Sequence, residues 1–168
     1  MSTSEIQAIL AARARRYREG LADDDVRTDR VEMALFRRAG SAYGVPIARL
    51  SSIHRAATLT SLPGLSGAVK GLANVRGRLV AVHDLGSFAK EPHPLGEELW
   101  LLVCGGRASG VALLADGVDE VRSIDVSRLA EPPLSLSSIR GCFVGFDPSG
   151  VGYVDLDQLL LTPAFFQA

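Results

Sequence analysis

From Val31 onward, glycine and proline cut the chain into short apolar runs, and that spacing narrows the fold more than any other feature. Runs of this length, rich in valine and bounded by turn residues, read as β-strands. Val31 to Arg38 and Ala42 to Ile47 are expected to form a hairpin around Gly40-Ser41, with a short turn and strand over 47–59. Pro63-Gly64 marks a turn, Leu65 to Leu72 is expected to make a helical turn, and Arg78 to His83 a strand. Asp84 can then cap a short helix over Leu85 to Phe88. Glu91-Pro92-His93-Pro94 breaks the chain into two halves.

The second half repeats the scheme. Leu99 to Cys104 and Ser109 to Asp116 read as strands around Gly105-Gly106, and Val118 to Ile124 as another. Pro132-Pro133 and Ser135 to Ser138 read as a loop. Gly141 to Phe146 and Gly150 to Val154 should pair around Asp147-Pro148-Ser149. Asp155 to Leu161 reads as a helix that stops before Pro163, leaving 163–168 as a tail. The halves echo each other: Tyr43-Gly44-Val45-Pro46-Ile47 parallels Ser109-Gly110-Val111-Ala112-Leu113. The fold class is therefore mainly β. Its two subdomains, about 31–90 and 97–162, are each too small for a comfortable core and should share apolar surface.

Residues 1–30, an N-terminal arm and linker, differ. Residues 4–19 are expected to form a helix, with Ser4 and Gln7 as a capping box and Gly20 at its end. Ile6, Ile9, Leu10 and Tyr17 give it a thin apolar face, while Arg13, Arg15, Arg16 and Arg18 crowd its second half. It reads either as a solvated arm docked loosely on the body or as a contact for an acidic partner surface. Asp23-Asp24-Asp25 opens a linker over 20–30.

A chain of 168 residues, 47% apolar and 22% charged, can build a packed core of one domain or two small ones. A formal net charge of −1 argues against bulk nucleic-acid binding and against a polybasic membrane anchor. The first residues lack the basic-plus-apolar pattern of a signal peptide, and no apolar run reaches the roughly 18 residues of a spanning helix. A cytoplasmic location is expected.

Catalytic constellations are missing. His54, His83 and His93 are isolated, and His83 lies beside Asp84 in a strand that sends neighbouring side chains to opposite faces. Cys104 and Cys142 sit in apolar runs with no Cys-x-x-Cys spacing, and read as buried thiols. No phosphate-binding loop and no Gly-x-Ser-x-Gly occurs; Gly64-Leu65-Ser66-Gly67 is one residue short. The expectation is a non-enzyme with no metal and no cofactor.

What remains is a turn. In Gly71-Leu72-Ala73-Asn74-Val75-Arg76-Gly77, Gly77 frees the backbone for a tight bend into the Arg78 to Val82 strand. Arg76 rides on that bend, where a guanidinium can brace the fold or meet a carboxylate on a partner. Asn74 and Gly77 have a plain structural role open to them, making the turn.

This passage resembles the CheW family of bacterial chemosensory coupling proteins. Phe36, Tyr43-Gly44-Val45-Pro46-Ile47, Leu50, Ile53 and Thr60-Ser61-Leu62-Pro63 follow the family's order and spacing. So do Val111-Ala112-Leu113-Leu114-Ala115-Asp116-Gly117-Val118 and Tyr153-Val154-Asp155-Leu156, which extends the resemblance over about residues 31 to 162. It implies two SH3-like five-stranded β-barrels side by side, with a groove between them. It further implies an adaptor without activity of its own, which joins the cytoplasmic tip of a chemoreceptor to the regulatory domain of a CheA-type histidine kinase. Matched positions imply Leu50, Gly71, Asn74, Arg76 and Gly77 as partner-binding residues. Ser52 stands where the family commonly has a glutamate, which leaves Arg76 without its expected counter-charge. Two alternatives stay open: a specialised CheW-like paralogue that binds only receptor or only kinase, and a ligand-binding β domain that uses the groove.

Overall fold

The computed structural model describes residues 29–65, 67–88 and 93–166. The helix expected over 4–19 and most of the linker after it lie outside the described residues. The strands are β1 (Arg30–Arg38), β2 (Ser41–Pro46), β3 (Leu50–Arg55), β4 (Leu59–Thr60), β5 (Val69–Val75) and β6 (Arg78–His83). They continue as β7 (Trp100–Cys104), β8 (Val111–Ala115), β9 (Gly117–Asp125), β10 (Phe143–Phe146) and β11 (Gly152–Val154). Two short helices close the chain, α1 (Leu156–Leu161) and α2 (Pro163–Phe166).

The strands form two sheets. One has the order β10-β11-β2-β1-β9 and the other β3-β7-β8-β6-β5-β4. Pairing is antiparallel except for β11 with β2 and β6 with β8. The mainly β, two-unit architecture is the one expected, but each sheet mixes strands from both sides of the break at residues 91–94. β1 and β2 join β9, β10 and β11, while β7 and β8 enter the sheet of β3 to β6. The sheets therefore cut across the segments 31–90 and 97–162.

The physical reason lies in β7 and β8. Leu101, Val103, Ala112 and Leu114 point into a cluster with Ala73, Val75, Val80 and Val82, all from the same sheet. Their neighbours Leu102, Cys104, Leu113 and Ala115 point the other way, into a cluster with Ala34, Phe36, Phe143 and Val154 of the other sheet. A strand apolar on both faces needs a core on each side, so β7 and β8 must lie between the sheet's own cluster and the shared one. β1 does the same for its sheet. Ala34 and Phe36 enter the shared cluster, and Val31, Met33 and Leu35 meet Ile124, Val151 and Tyr153 on the other side. Fully burying a side chain such as Leu113 or Phe36 contributes about 1.5–3 kcal/mol relative to exposure.

Two segments depart from expectation. Leu65 to Leu72 forms no helical turn: a turn at Gly67-Ala68 leads directly into β5, which pairs with β6 from Val69↔His83 onward. Gly71 explains the choice. Its φ is +147°, and a Cβ there would lie 2.2 Å from the Thr60 carbonyl oxygen on β4. Only glycine lets β4 pair this closely, and glycine also weakens a helix.

At the other end the expected helix forms one residue later than read, as α1, and Asp155 caps it by accepting a hydrogen bond from the Gln158 backbone N–H at 3.1 Å. The chain then turns into α2, where Phe165 is fully buried and stacks on His83 with ring centroids 4.3 Å apart. Part of the segment read as a tail thus belongs to the shared core.

Candidate partner-binding site

The hairpin of β5 and β6 is closed by two residues. Val75 pairs with Arg78, so Arg76 and Gly77 form the loop, and their φ values are +51° and +81°. Positive φ at both central positions is the mark of a type I′ turn, whose twist matches that of its strands. The Asn74 side-chain carbonyl accepts the Gly77 N–H at 2.8 Å and holds the bend. Asn74 and Gly77 thus build the turn, and Arg76 is what the turn carries.

Beneath it, Val75 and Val80 are buried in the cluster of their own sheet, so the tip stands on a packed base. Arg76 and Arg78 are both exposed, and among the described residues neither guanidinium has a hydrogen-bond or ion-pair partner. Leu79, next along β6, is 68% exposed, an apolar contact beside two cations. The left-handed backbone at Arg76 costs an L-residue about 1–2 kcal/mol relative to glycine. Bracing of Arg76 against its own sheet, one of the two sequence readings, has no bond to rest on among the described residues.

The other matched residues lie apart in the sheet. Leu50 begins β3, is half-buried and packs against the shared core. Ser52 is half-buried two residues on, opposite Val103, after an irregularity in register between Leu50 and Ser52. In the hydrogen-bonded order, β7, β8 and β6 separate β3 from β5. Gly71, Asn74, Arg76 and Gly77 thus share one hairpin, and Leu50 and Ser52 share another strand.

One arginine that matters escaped the sequence reading. Arg38, the last residue of β1, is completely buried. Its Nε and Nη2 donate to the two oxygens of Asp84, each at 2.7 Å, and its Nη1 donates to Asp116 at 2.8 Å. Asp116 also accepts the Ala39 N–H at 2.9 Å, and Asp84 accepts the Gly86 N–H at 2.7 Å. The hydrogen bond it donates to Asp84 raises the guanidinium's pKa above its ordinary value, against burial and with help from the charges of both aspartates. This bridge ties β1 of one sheet to the end of β6 in the other. The signal was available: Phe36 and Arg38 are two apart on one strand, so a buried Phe36 sends Arg38 inward too.

The nucleophile and base candidates are placed for packing. Burial pushes the Cys104 thiol up to about 12, far from a reactive thiolate. Burial also lowers the pKa of His83, opposed by the bond between its Nδ1 and the Phe165 carbonyl at 3.2 Å. Among the described residues, no group of three or more His, Cys, Asp or Glu side chains could hold a metal ion. Nor is any described helix long and apolar enough to cross a membrane.

Comparison with known proteins places this architecture. The model of the CheW-like domain matches residues 32–163, from β1 to the start of α2. The chain belongs to the CheW family. Among curated members, it is 33% identical over 102 residues to protein PilI of Pseudomonas aeruginosa, covering 59% of this chain and 57% of PilI. It is 25% identical over 103 residues to the chemotaxis protein CheW of Klebsiella aerogenes, covering 61% and 62% of the two chains. The matches thus span about three-fifths of these curated relatives. The crystal structure of the scaffolding protein TtCheW from Thermoanaerobacter tengcongensis shares the fold, with a TM-score of 0.63 at 18% identity. That match covers 80% of this chain and 90% of TtCheW. The CheW-like domain of this chain therefore includes both sheets and the hairpin that carries Arg76.

Proposed function

We propose that this chain is a non-enzymatic adaptor that joins the cytoplasmic tip of a chemoreceptor to the regulatory domain of a CheA-type histidine kinase. It works in the cytoplasm, recruited to receptor arrays. One observation carries the reading: Arg76 is held at positive φ on the tip of a packed hairpin, exposed and without a partner among the described residues, beside Arg78 and the exposed Leu79. A turn of this type is served more cheaply by asparagine or glycine at that position. An arginine kept there despite the backbone cost is suited to a carboxylate on a partner, with Leu79 adding an apolar contact and Leu50 a second one from β3. Membership of the CheW family supports the same adaptor role.

The test is titration calorimetry of the full chain with the cognate receptor tip and, separately, with the kinase regulatory domain. Arg76→Ala should weaken at least one of the two complexes by about tenfold or more, corresponding to about 1.4 kcal/mol. Unchanged affinity for both partners would remove Arg76 from the interface.

A second reading has its own support. Identity to PilI exceeds identity to the chemotaxis protein CheW, and Ser52 replaces the glutamate common in the family. On that reading the chain is a CheW-like paralogue of another pathway, and the same titrations return binding to only one partner class.

A further inference from the structure

We propose that β9 is a self-complementary edge through which two copies of this chain pair antiparallel about a two-fold axis at Val121. The inference is independent of the receptor and kinase reading.

β9 is a nine-residue strand at the end of its sheet, and Asp119 to Ser123 are all exposed. Val121 pairs with Ala34 of β1, which is buried, yet Val121 itself is 57% exposed. The other sheet ends are guarded. Among the described residues, β4 has two residues, β10 is bridged from outside by Ala130 to Phe146, and Arg55 of β3 is laid over Trp100 at 5.4 Å. A long edge strand offers its backbone to another strand unless a bulge or its charges forbid it.

The charge pattern here selects one arrangement. Glu120 and Arg122 lie on one face of β9, where Arg122 Nε donates to Glu120 at 3.0 Å. In an antiparallel pair centred on Val121, Glu120 of each copy faces Arg122 of the other, and Val121 faces its own copy on the opposite face. Four charges then alternate in sign around the axis, and the central pair is apolar. Opposite charges directly across an antiparallel pair stabilise it, and like charges oppose it. A parallel pair in the same register would set Glu120 on Glu120 and Arg122 on Arg122. The same surface on both copies is what a two-fold interface requires. The register irregularity opposite Ala34 and Phe36 ends regular pairing before Glu120, so the seam is short and the association weak.

Sedimentation equilibrium of the full chain should show reversible dimer formation, with a dissociation constant of roughly micromolar to millimolar order. Glu120→Arg sets Arg on Arg across the axis, and Arg122→Glu sets Glu on Glu. Each variant alone should dimerise at least about tenfold more weakly. Mixed one to one, the two become complementary, and the heterodimer should form at close to wild-type affinity. Circular dichroism melts confirm that each variant is folded before mixing. Val121→Cys adds a readout that needs no charge change: under mild oxidation it should form a covalent dimer, suppressed by adding Glu120→Arg. A wild-type chain that stays monomeric at every concentration overturns the proposal. So does a mixture of the folded single variants that fails to associate.

Discussion

Two hairpin turns in this chain share a backbone and use arginine in opposite ways. At the β1–β2 turn, Ala39 and Gly40 have φ of +55° and +75°; at the β5–β6 turn, Arg76 and Gly77 have +51° and +81°. The first turn follows an arginine, Arg38, that is fully buried and spans two aspartates. The second carries its arginine in the turn, exposed, with no partner among the described residues. Position relative to the bend decides the role. The last strand residue before a two-residue loop still follows strand alternation and can point into the core, whereas a loop residue projects from the tip.

Removing the buried member should have the largest effect. Arg38→Ala leaves Asp84 buried without its counter-charge, and breaking a buried pair in this way costs about 3–5 kcal/mol. Urea denaturation should show a midpoint shift of that size, with the far-ultraviolet spectrum of the folded state kept. A loss below about 1 kcal/mol would mean that water replaces the guanidinium, and the contrast between the two arginines would fall.

A third turn sharpens the comparison, because a carboxylate holds it and its strength depends on pH. Asp147, between β10 and β11, accepts hydrogen bonds from Ser149 N–H and Val151 N–H and from the Tyr153 hydroxyl at 2.9 Å. Burial alone would raise its pKa, but the bonds from Ser149, Val151 and Tyr153 prevail and hold it below the usual carboxylate value. The stabilisation is therefore fully present above the unfolded carboxylate pKa, about 3.9, and is lost as pH falls through the lower folded value. Burial, with the bond to Asp147, pushes Tyr153 up to about 12. Its contribution is present below the unfolded value of about 10 and is lost as pH rises toward 12. Stability measured against pH should decline on both flanks. Asp147→Asn should flatten the acid flank and reduce the alkaline one, while Arg76→Ala should leave both unchanged.

Legibility followed the range of the interactions. Arg78 to His83 was readable as a strand, and the helix of α1 as one that stops before Pro163, because alternation, turn residues and helix stops act within a few positions. Asn74 and Gly77 were readable as a turn for the same reason. The pairing of β11 with β2, the exchange of strands between the halves, and the burial of Phe165 against His83 were not. Each joins residues far apart in sequence, and no local pattern selects the partner. Leu65 to Leu72 misled because Gly71 answers to the Thr60 carbonyl beside it rather than to its own neighbours in sequence. For the candidate site, the exposure of Arg76 could be read from its turn. The placement of Leu50 and Ser52 on a strand separated from β5 by three others could not.

The smallest effect expected on stability is the most telling about role. Arg76→Asn keeps a residue that tolerates positive φ at little cost, and leaves the Asn74 to Gly77 hydrogen bond in place. No bond among the described residues is lost with the guanidinium, so nothing offsets the relief of backbone strain. The variant should melt at or slightly above the wild-type temperature, a gain of up to about 1 kcal/mol. The same substitution removes the cation that the tip presents, so binding to receptor or kinase should fall while stability holds or rises. Opposite signs in the two measurements are what a presented residue requires, since a residue that supports the fold loses stability and affinity together. A clear drop in melting temperature would place Arg76 with Arg38, as a brace, and erase the distinction between the two turns.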